Sequence, residues 1–341
     1  MLLNELLIKS IARHASDLHI MPGCLPVVRI NGSLTPMDLP VFTPTETQAL
    51  ARQALSEEKC AILEEIGEVD ASYHHADLGS FRVNAYYEQN GVAIAFRVIS
   101  TVIPTIESLS LPAVVSSLAR SSNGIILVTG PTGSGKSTTQ AAMINQINEE
   151  KACHIITLED PIEYIHKNRN SLITQREIGK DSQSFPTALR SALRQDPDII
   201  MIGEMRDLET MSIAVTAAET GHLVLATLHT VNAAQSIARI IDVFLPHQQR
   251  QIQIQLANSL TGVISQRLVP RKDGNGRIVA TEVLTTTTAI RNMIREGKTH
   301  QIYSSIQTGS RYGMHTMESS FKYLIDNDLI ESDALLVYST D

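Results

Sequence analysis

Two hydrophobic rhythms divide the chain. Up to about residue 100 apolar and polar positions mostly alternate over short runs bounded by turn formers. DLHI and VVRI read as short half-buried strands. ASYHHADLGSFRVNAYYEQNGVAIAFRVIS reads as a meander broken at Asp77-Leu78-Gly79 and Asn90-Gly91. Asn31-Gly32 is a tight-turn signal. An amphipathic helix is predicted from about Asn4 to Ala15. A second is announced by Thr43-Pro44-Thr45-Glu46, with Thr43 as N-cap and Glu46 reaching back. STVIPTIESLSLP is rich in turn formers and reads as a linker, placed at 101–114 between domains at 1–100 and 115–341.

Beyond it the apolar runs are continuous. GIILVTG, HIITLED, DIIMIGE and LVLATLH alternate with helical stretches STTQAAMINQINEE, SFPTALRSALRQ and LETMSIAVTAAET. Unbroken apolar strands separated by helices predict a mainly parallel sheet covered on both faces. The last 80 residues read mostly as helices.

Composition narrows the class. With 341 residues, 43% hydrophobic and 19% charged, the chain suits a two-domain globular protein. Its net charge of −8 and 4% aromatic content argue against direct nucleic-acid binding, which leans on clustered cations and stacking rings. No apolar run approaches the roughly 20 residues of a membrane span. The first twenty residues lack the pattern of a signal peptide, so a cytoplasmic location is expected. Cys24, Cys60 and Cys153 form no Cys-x-x-Cys pair and are read as reduced structural thiols.

The chemistry centres on Gly130-Pro131-Thr132-Gly133-Ser134-Gly135-Lys136-Ser137, a G-x-x-x-x-G-K-[ST] pattern between a predicted strand and a predicted helix. Glycines let backbone N–H groups turn inward around phosphate oxygens, and the helix N-terminus adds a positive dipole end. ATP is the expected ligand of Gly130 to Thr138. Lys136 would reach its β- and γ-phosphates, and the Ser137 hydroxyl would serve Mg²⁺. A phosphate site of this kind needs carboxylates, and two strand ends offer them. DPDIIMIGEMRD delivers Glu204, aimed at Mg²⁺ or the attacking water, with Asp207 read as a helix cap. HIITL ends in Glu159-Asp160-Pro161-Ile162-Glu163, candidates for holding metal or activating water. His222 and His229 flank LVLATL; each is read either as packing or capping, or as a γ-phosphate contact.

Taken together, GPTGSGKS, the acidic box ITLEDPIE, DPDIIMIGEMRD and the histidine box TAAETGHLVLATLHT resemble the motifs of the ATPases of type IV pilus and type II/IV secretion systems. SDLHIMPGCLPVVRINGSL and FRVNAYYEQNGVAIAFRVI are similar to that family's N-terminal domain. QREIGKDSQSFPTALRSALRQDPD and the run Ala289 to Ile294 (AIRNMI) resemble the PilT-type retraction ATPases of twitching motility. The resemblance implies an α/β protein: a PAS-like α+β N-terminal domain, then a RecA-like P-loop NTPase domain with a helical C-terminal region. It implies a homo-hexameric motor working with a pilus platform protein at the inner membrane. It also implies that arginines of the N-terminal domain reach a nucleotide at the domain boundary. The matching positions are Arg82 and Arg97, which on their own strands are also readable as partners of nearby carboxylates. Catalytic roles would fall to Lys136, Glu163, Glu204, Arg82, Arg97, His222 and His229, and metal binding to Ser137, Glu159 and Glu204. Glu163 and Glu204 share the tasks of orienting water and holding the metal, with the resemblance favouring Glu163 as base. A motor for DNA or effector secretion, a DNA translocase and a nucleotide-gated scaffold are the competing readings.

Overall fold

The computed structural model describes residues 3–30, 32–75, 77–99, 102–274 and 276–334. The chain divides into two compact units, Met1–Thr101 and Val102–Asp341.

In the first unit, helix α1 (Leu3–Ala12) precedes strands β1 (Asp17–Ile20), β2 (Val27–Ile30) and β3 (Ser33–Pro36). Helices α2 (Pro44–Ala54) and α3 (Glu57–Ile66) follow, and then the meander β4 (Glu68–His75), β5 (Gly79–Glu88) and β6 (Gly91–Ile99). The six strands form one antiparallel sheet in the order β3-β2-β1-β6-β5-β4. One face carries Leu18, Ile20, Val28, Phe81, Val83, Ile94 and Phe96, which join the apolar sides of α1 and α2 in a single core. The predicted cap of α2 forms as a full capping box: Thr43 Oγ1 accepts from Glu46 N–H, and Glu46 Oε2 accepts from Thr43 N–H at 2.8 Å. Of the predicted Asn31-Gly32 turn, Asn31 lies outside the described residues and Gly32 takes φ +86°.

The second unit opens with helix α4 (Ala113–Ala119). Ile106 and Leu111, within the stretch read as a linker, are buried in this unit's core. Strand β7 (Gly124–Thr129) leads through the phosphate loop to α5 (Lys136–Glu150). Strands β8 (His154–Glu159) and β9 (Leu172–Glu177) follow, then α6 (Phe185–Ala192), β10 (Ile199–Ile202), α7 (Leu208–Glu219) and β11 (Leu223–Leu228). Helices α8 (Ala233–Asp242) and α9 (Pro246–Ser259) lead to β12 (Leu260–Pro270) and β13 (Arg277–Thr285). Three helices close the described chain, α10 (Thr288–Arg295), α11 (Ile302–Gln307) and α12 (Met317–Asp326). The sheet order is β13-β12-β7-β11-β10-β8-β9; only the β12–β13 pair is antiparallel.

The continuous apolar runs are explained by what covers them. Ile125 and Leu127 face the layer built by α6 to α11, whereas Ile126 and Val128 face α4 and α5. With both faces covered, successive residues of β7, β10 and β11 are all buried. Asp207 caps α7 as expected, accepting from Thr210 N–H at 2.8 Å. In the AIRNMI helix α10, Ile290 and Ile294 are buried, while Arg291 Nη1 donates to the Ala257 and Asn258 carbonyls at the end of α9, both at 2.6 Å.

One prediction needs correction. The last 80 residues are not mostly helical: they contain most of the long β12–β13 hairpin. Its run TGVISQRLVP has the β-branched, apolar character of a strand. It was masked by the helical patterns on either side. Among the described residues no helix is long and apolar enough to cross a membrane.

Candidate active site

Four parallel strands end on one edge of the large sheet, and the register sets what each delivers there. Thr129 of β7 lies opposite Leu228 of β11, and Ile202 of β10 lies opposite both Ala226 of β11 and Leu158 of β8. One residue further on, β7 enters the loop at Gly130, β11 reaches His229, β10 reaches Gly203 and then Glu204, and β8 ends at Glu159. The strand order β7-β11-β10-β8 therefore lines up the loop, the histidine and the two acidic groups along one edge, where ligands of open α/β sheets sit.

The loop depends on β12 behind it. Gly130 has φ +144°, and a Cβ there would stand 2.4 Å from the Gln266 carbonyl and 2.6 Å from Ser134 Oγ. Thr129 Oγ1 donates to Ser265 Oγ at 2.9 Å, and Gln266 Nε2 donates to Thr139 Oγ1 at 2.8 Å, so β12 grips both sides of the loop. Gly130→Ala is expected to destabilise the unit by about 2 kcal/mol or more and to weaken nucleotide binding, because the backbone carbonyl it meets has nowhere to go. Thermal denaturation and a fluorescent-nucleotide titration check this; a variant with parental melting and affinity would contradict the packing described.

Pro131, Thr132 and Gly133 form the exposed tip of the loop, and Ser134 is buried beneath it. Helix α5 begins from Gly135, which takes φ +90° and gives no side-chain cap bond, so the first-turn N–H groups face the loop interior uncapped by a side chain. Lys136 Nζ donates to the Gly130 and Pro131 carbonyls at 2.9 and 3.0 Å. Burial lowers the pKa of this ammonium, while the charges of Glu204 and Glu163 push it back up. Both carboxylates thus act electrostatically on the loop lysine. Ser137 is half-buried beside it, and Thr138 Oγ1 hydrogen-bonds Tyr164 Oη at 3.0 Å.

Glu204 is held from two sides. Arg206 Nη2 approaches Oε2 at 2.7 Å, and His229 Nε2 approaches Oε1 at 3.1 Å. Burial pushes the Glu204 carboxyl up, but the bond to Arg206 and the charges of His229 and Arg206 outweigh it and leave the pKa below the usual carboxylate value. Gly203 permits the close passage: its N–H donates to the Leu158 carbonyl at 2.8 Å, and a Cβ would stand 3.2 Å from that oxygen.

Glu159 is oriented inward. It is buried, and its Oε1 accepts from Thr157 Oγ1 at 2.7 Å and from Gln175 Nε2 at 3.1 Å, while Oε2 accepts from Glu163 N–H at 3.4 Å. Desolvation raises its pKa despite these bonds. Gln175 also donates to the Tyr164 carbonyl at 2.8 Å and accepts from His166 N–H at 2.8 Å. Glu159 and Gln175 therefore organise the acidic loop, in which Glu163 is exposed. Burial drops the His166 pKa to about 4, so this loop carries a neutral imidazole.

His222 is not brought to this edge. It precedes β11, and its carbonyl accepts from Gly124 N–H at the start of β7, whereas Gly130 N–H at the other end bonds the Leu228 carbonyl. A six-residue strand, roughly 20 Å long, separates the two histidines. His222 instead sits in the turn after α7, with Nδ1 at 3.0 Å from the Ala217 carbonyl. In the first unit, Arg82 lies directly opposite Arg97 on neighbouring strands. Each has a carboxylate partner there: Arg97 Nε–Asp17 Oδ1 at 2.8 Å and Arg82 Nη2–Asp70 Oδ1 at 3.9 Å. Both arginine side chains remain largely exposed.

Tyr164, Gln175, Arg206 and Gln266 were not among the predicted site residues. Arg206 stands two residues past Glu204 in the quoted motif and was the most findable. Gln175 and Gln266 become visible only once β9 and β12 are known to flank the loop strands.

Comparisons with known proteins bear on the family and the fold. Residues 1–323 match the family described as type II/IV secretion system protein. A twitching motility protein of Neisseria gonorrhoeae is 46% identical over 311 residues, covering 91% of this chain and 83% of its own. The type IV pilus retraction ATPase PilT of Pseudomonas aeruginosa is 44% identical over 331 residues, covering 97% and 96%. A crystal structure of the pilus retraction motor PilT with bound ADP superposes with a TM-score of 0.94 at 47% identity, covering 100% of this chain and 98% of that one. The fold is accordingly the RecA-like arrangement with its N-terminal domain. Matched by the family model from residue 1 to 323 and by relatives over nearly its whole length, this protein is a member of the type II/IV secretion system protein family.

Proposed function

We propose that the chain is an ATP-driven motor of type IV pilus retraction. What supports it is the register that brings the phosphate loop after β7, His229 after β11, Glu204 after β10 and the acidic loop after β8 to one sheet edge. The direction of the work rests on the Pseudomonas relative and the solved structure, both named for retraction.

Phosphoryl transfer to water asks mainly for positioning and charge neutralisation. Residues Gly130 to Thr138 take the triphosphate, and Lys136 leaves its two loop carbonyls for the β- and γ-phosphates. Glu163 accepts the proton of the attacking water. His229 reports the γ-phosphate to Glu204. The donor set suits Mg²⁺: a serine hydroxyl and a charged carboxylate are hard oxygen ligands. Mg²⁺ in such sites is commonly held by one or two side chains together with substrate phosphates. Ser137 and Glu204 would hold it, and it would neutralise charge on the β- and γ-oxygens.

The working unit is a homo-hexamer docked on a pilus platform protein at the cytoplasmic face of the inner membrane. Deleting the gene tests the direction of work. Hyperpiliated cells that do not twitch are expected. Bald cells would overturn retraction, and normal piliation with a secretion defect would move the motor to another machine of the family.

A further inference from the structure

The catalytic assignment leaves one buried carboxylate unused. Glu282, in the middle of β13, is 3% exposed. Its Oε1 accepts from Ala233 N–H at 2.9 Å; that bond and the nearby Met317 N–H favour the charged form, but burial outweighs them and raises its pKa. Ala233 is the first residue of α8 and Met317 the first residue of α12. One carboxylate therefore sits on the N-termini of two helices, where backbone N–H groups lack intrahelical partners and the dipoles favour negative charge. The helices have side-chain caps of their own, Asn232 to Gln235 N–H and Thr316 to Ser319 N–H. Glu282 is thus an additional tie, placed between the two.

What α8 holds gives the tie its significance. Four residues, His229 to Asn232, join the end of β11 to α8. They are pinned to the helix by Thr230 Oγ1, at 2.6 Å from Ser236 Oγ, and by the Asn232 cap. His229 stands at the other end of this short span, with Nε2 at 3.1 Å from Glu204 Oε1. Moving the start of α8 must move His229, because four residues anchored at both ends have little slack. On the far side, α12 is fastened to the same strand: Thr281 N–H donates to Ser320 Oγ at 3.0 Å, Thr281 Oγ1 meets His315 Nε2 at 2.9 Å, and His315 pairs with Val283 through the backbone.

We propose that Glu282 is a positioning residue: by holding the N-terminus of α8 it sets His229 against Glu204, and because its strand neighbours Thr281 and Val283 fasten α12 and the segment before it, that setting depends on the C-terminal helix. The proposal rests on the hydrolytic role given above to His229 and Glu204. Its consequence is that whatever displaces α12 is felt at the nucleotide, through β13 and α8.

The test is a double-mutant cycle on the full chain, reading steady-state ATP hydrolysis. His229→Ala is expected to lower kcat. Glu282→Ala should lower kcat by about ten- to a hundredfold, the penalty of a misplaced catalytic group, with KM for ATP within about twofold of the parent. Glu282→Gln keeps one acceptor oxygen and should lose about threefold. In the His229→Ala background either Glu282 change should add almost nothing, because both act on one element. A merely structural role predicts the opposite, independent losses that multiply. If Glu282→Ala does not fold, the Glu282→Gln cycle decides. Multiplying losses, or a parental rate in the Glu282 variants beside an impaired His229→Ala, would overturn the inference alone. A parental rate in His229→Ala would overturn the reading beneath it.

Discussion

Lys136→Ala is expected to lower ATP hydrolysis by about 10³-fold or more, the largest single effect predicted for this protein. Phosphoryl transfer leaves little covalent chemistry to a protein, so removing a cation aimed at the transferring phosphate removes much of the catalysis, as the about 10³–10⁵-fold worth of an arginine finger indicates. The geometry sharpens the expectation. The ammonium is partly buried, within the fields of Glu204 and Glu163, so without it two carboxylates face a polyanion with one less intervening charge. Nucleotide affinity should fall as well, since that repulsion acts in the ground state. The substitution also removes two hydrogen bonds to the Gly130 and Pro131 carbonyls. Lys136→Arg separates the two contributions: it keeps the charge but not the compact ammonium that fits the loop. Steady-state hydrolysis and the melting temperature should be measured together. Hydrolysis within about tenfold of the parent, in a variant that melts normally, would remove Lys136 from the reaction and with it the reading of the loop as catalytic.

The parts of this site that were legible in the sequence share one property: they are local. The phosphate loop is a contiguous run, and Asp207 caps the helix that begins at the next residue. Glu204 ends a strand whose four residues are all buried, which made its emergence from the sheet edge conspicuous. The fold class followed from the same source, because a covered parallel sheet writes itself as unbroken apolar runs. What escaped depends on register and on long-range pairing. His222 and His229 are equivalent in the sequence, as ends of one apolar run. Only strand direction separates them, since one end of β11 meets Gly124 and the other meets Gly130. Glu159 and Glu163 stand four residues apart in one acidic run. Burial against Thr157 and Gln175 turns the first into a support for the second. The β12–β13 hairpin escapes the sequence reading because β12 pairs with the P-loop strand only across a long crossover, with β13 outside it, and no short pattern reports that.

The shared tasks of Glu163 and Glu204 can be separated by experiment, because the two carboxylates are held differently. Glu204 lies between a guanidinium and an imidazole, and its pKa is depressed, so it stays ionised and remains a poor proton acceptor at neutral pH. That is the condition of a metal-side ligand. Glu163 acts on the same lysine from the acidic loop, where its backbone N–H donates to Glu159 Oε2 and its side chain is exposed. Glu163→Gln is therefore expected to lower kcat by about 10²–10⁴-fold, the range for loss of a general base, with ATP affinity and the Mg²⁺ requirement close to parental. Glu204→Gln should also lower kcat strongly, by about 10²-fold or more, but should in addition raise the Mg²⁺ concentration needed for half-maximal rate. It strips the counter-charge from Arg206 and His229 as well, so the loss should be only weakly relieved by excess Mg²⁺. Titrating Mg²⁺ at saturating ATP for parent and both variants distinguishes the roles. Unchanged Mg²⁺ dependence in Glu204→Gln together with a shifted one in Glu163→Gln would exchange the assignments. A Glu204→Gln enzyme hydrolysing ATP at the parental rate would refute the role given to the strand-end carboxylate altogether, because Glu204 is the carboxylate held between Arg206 and His229.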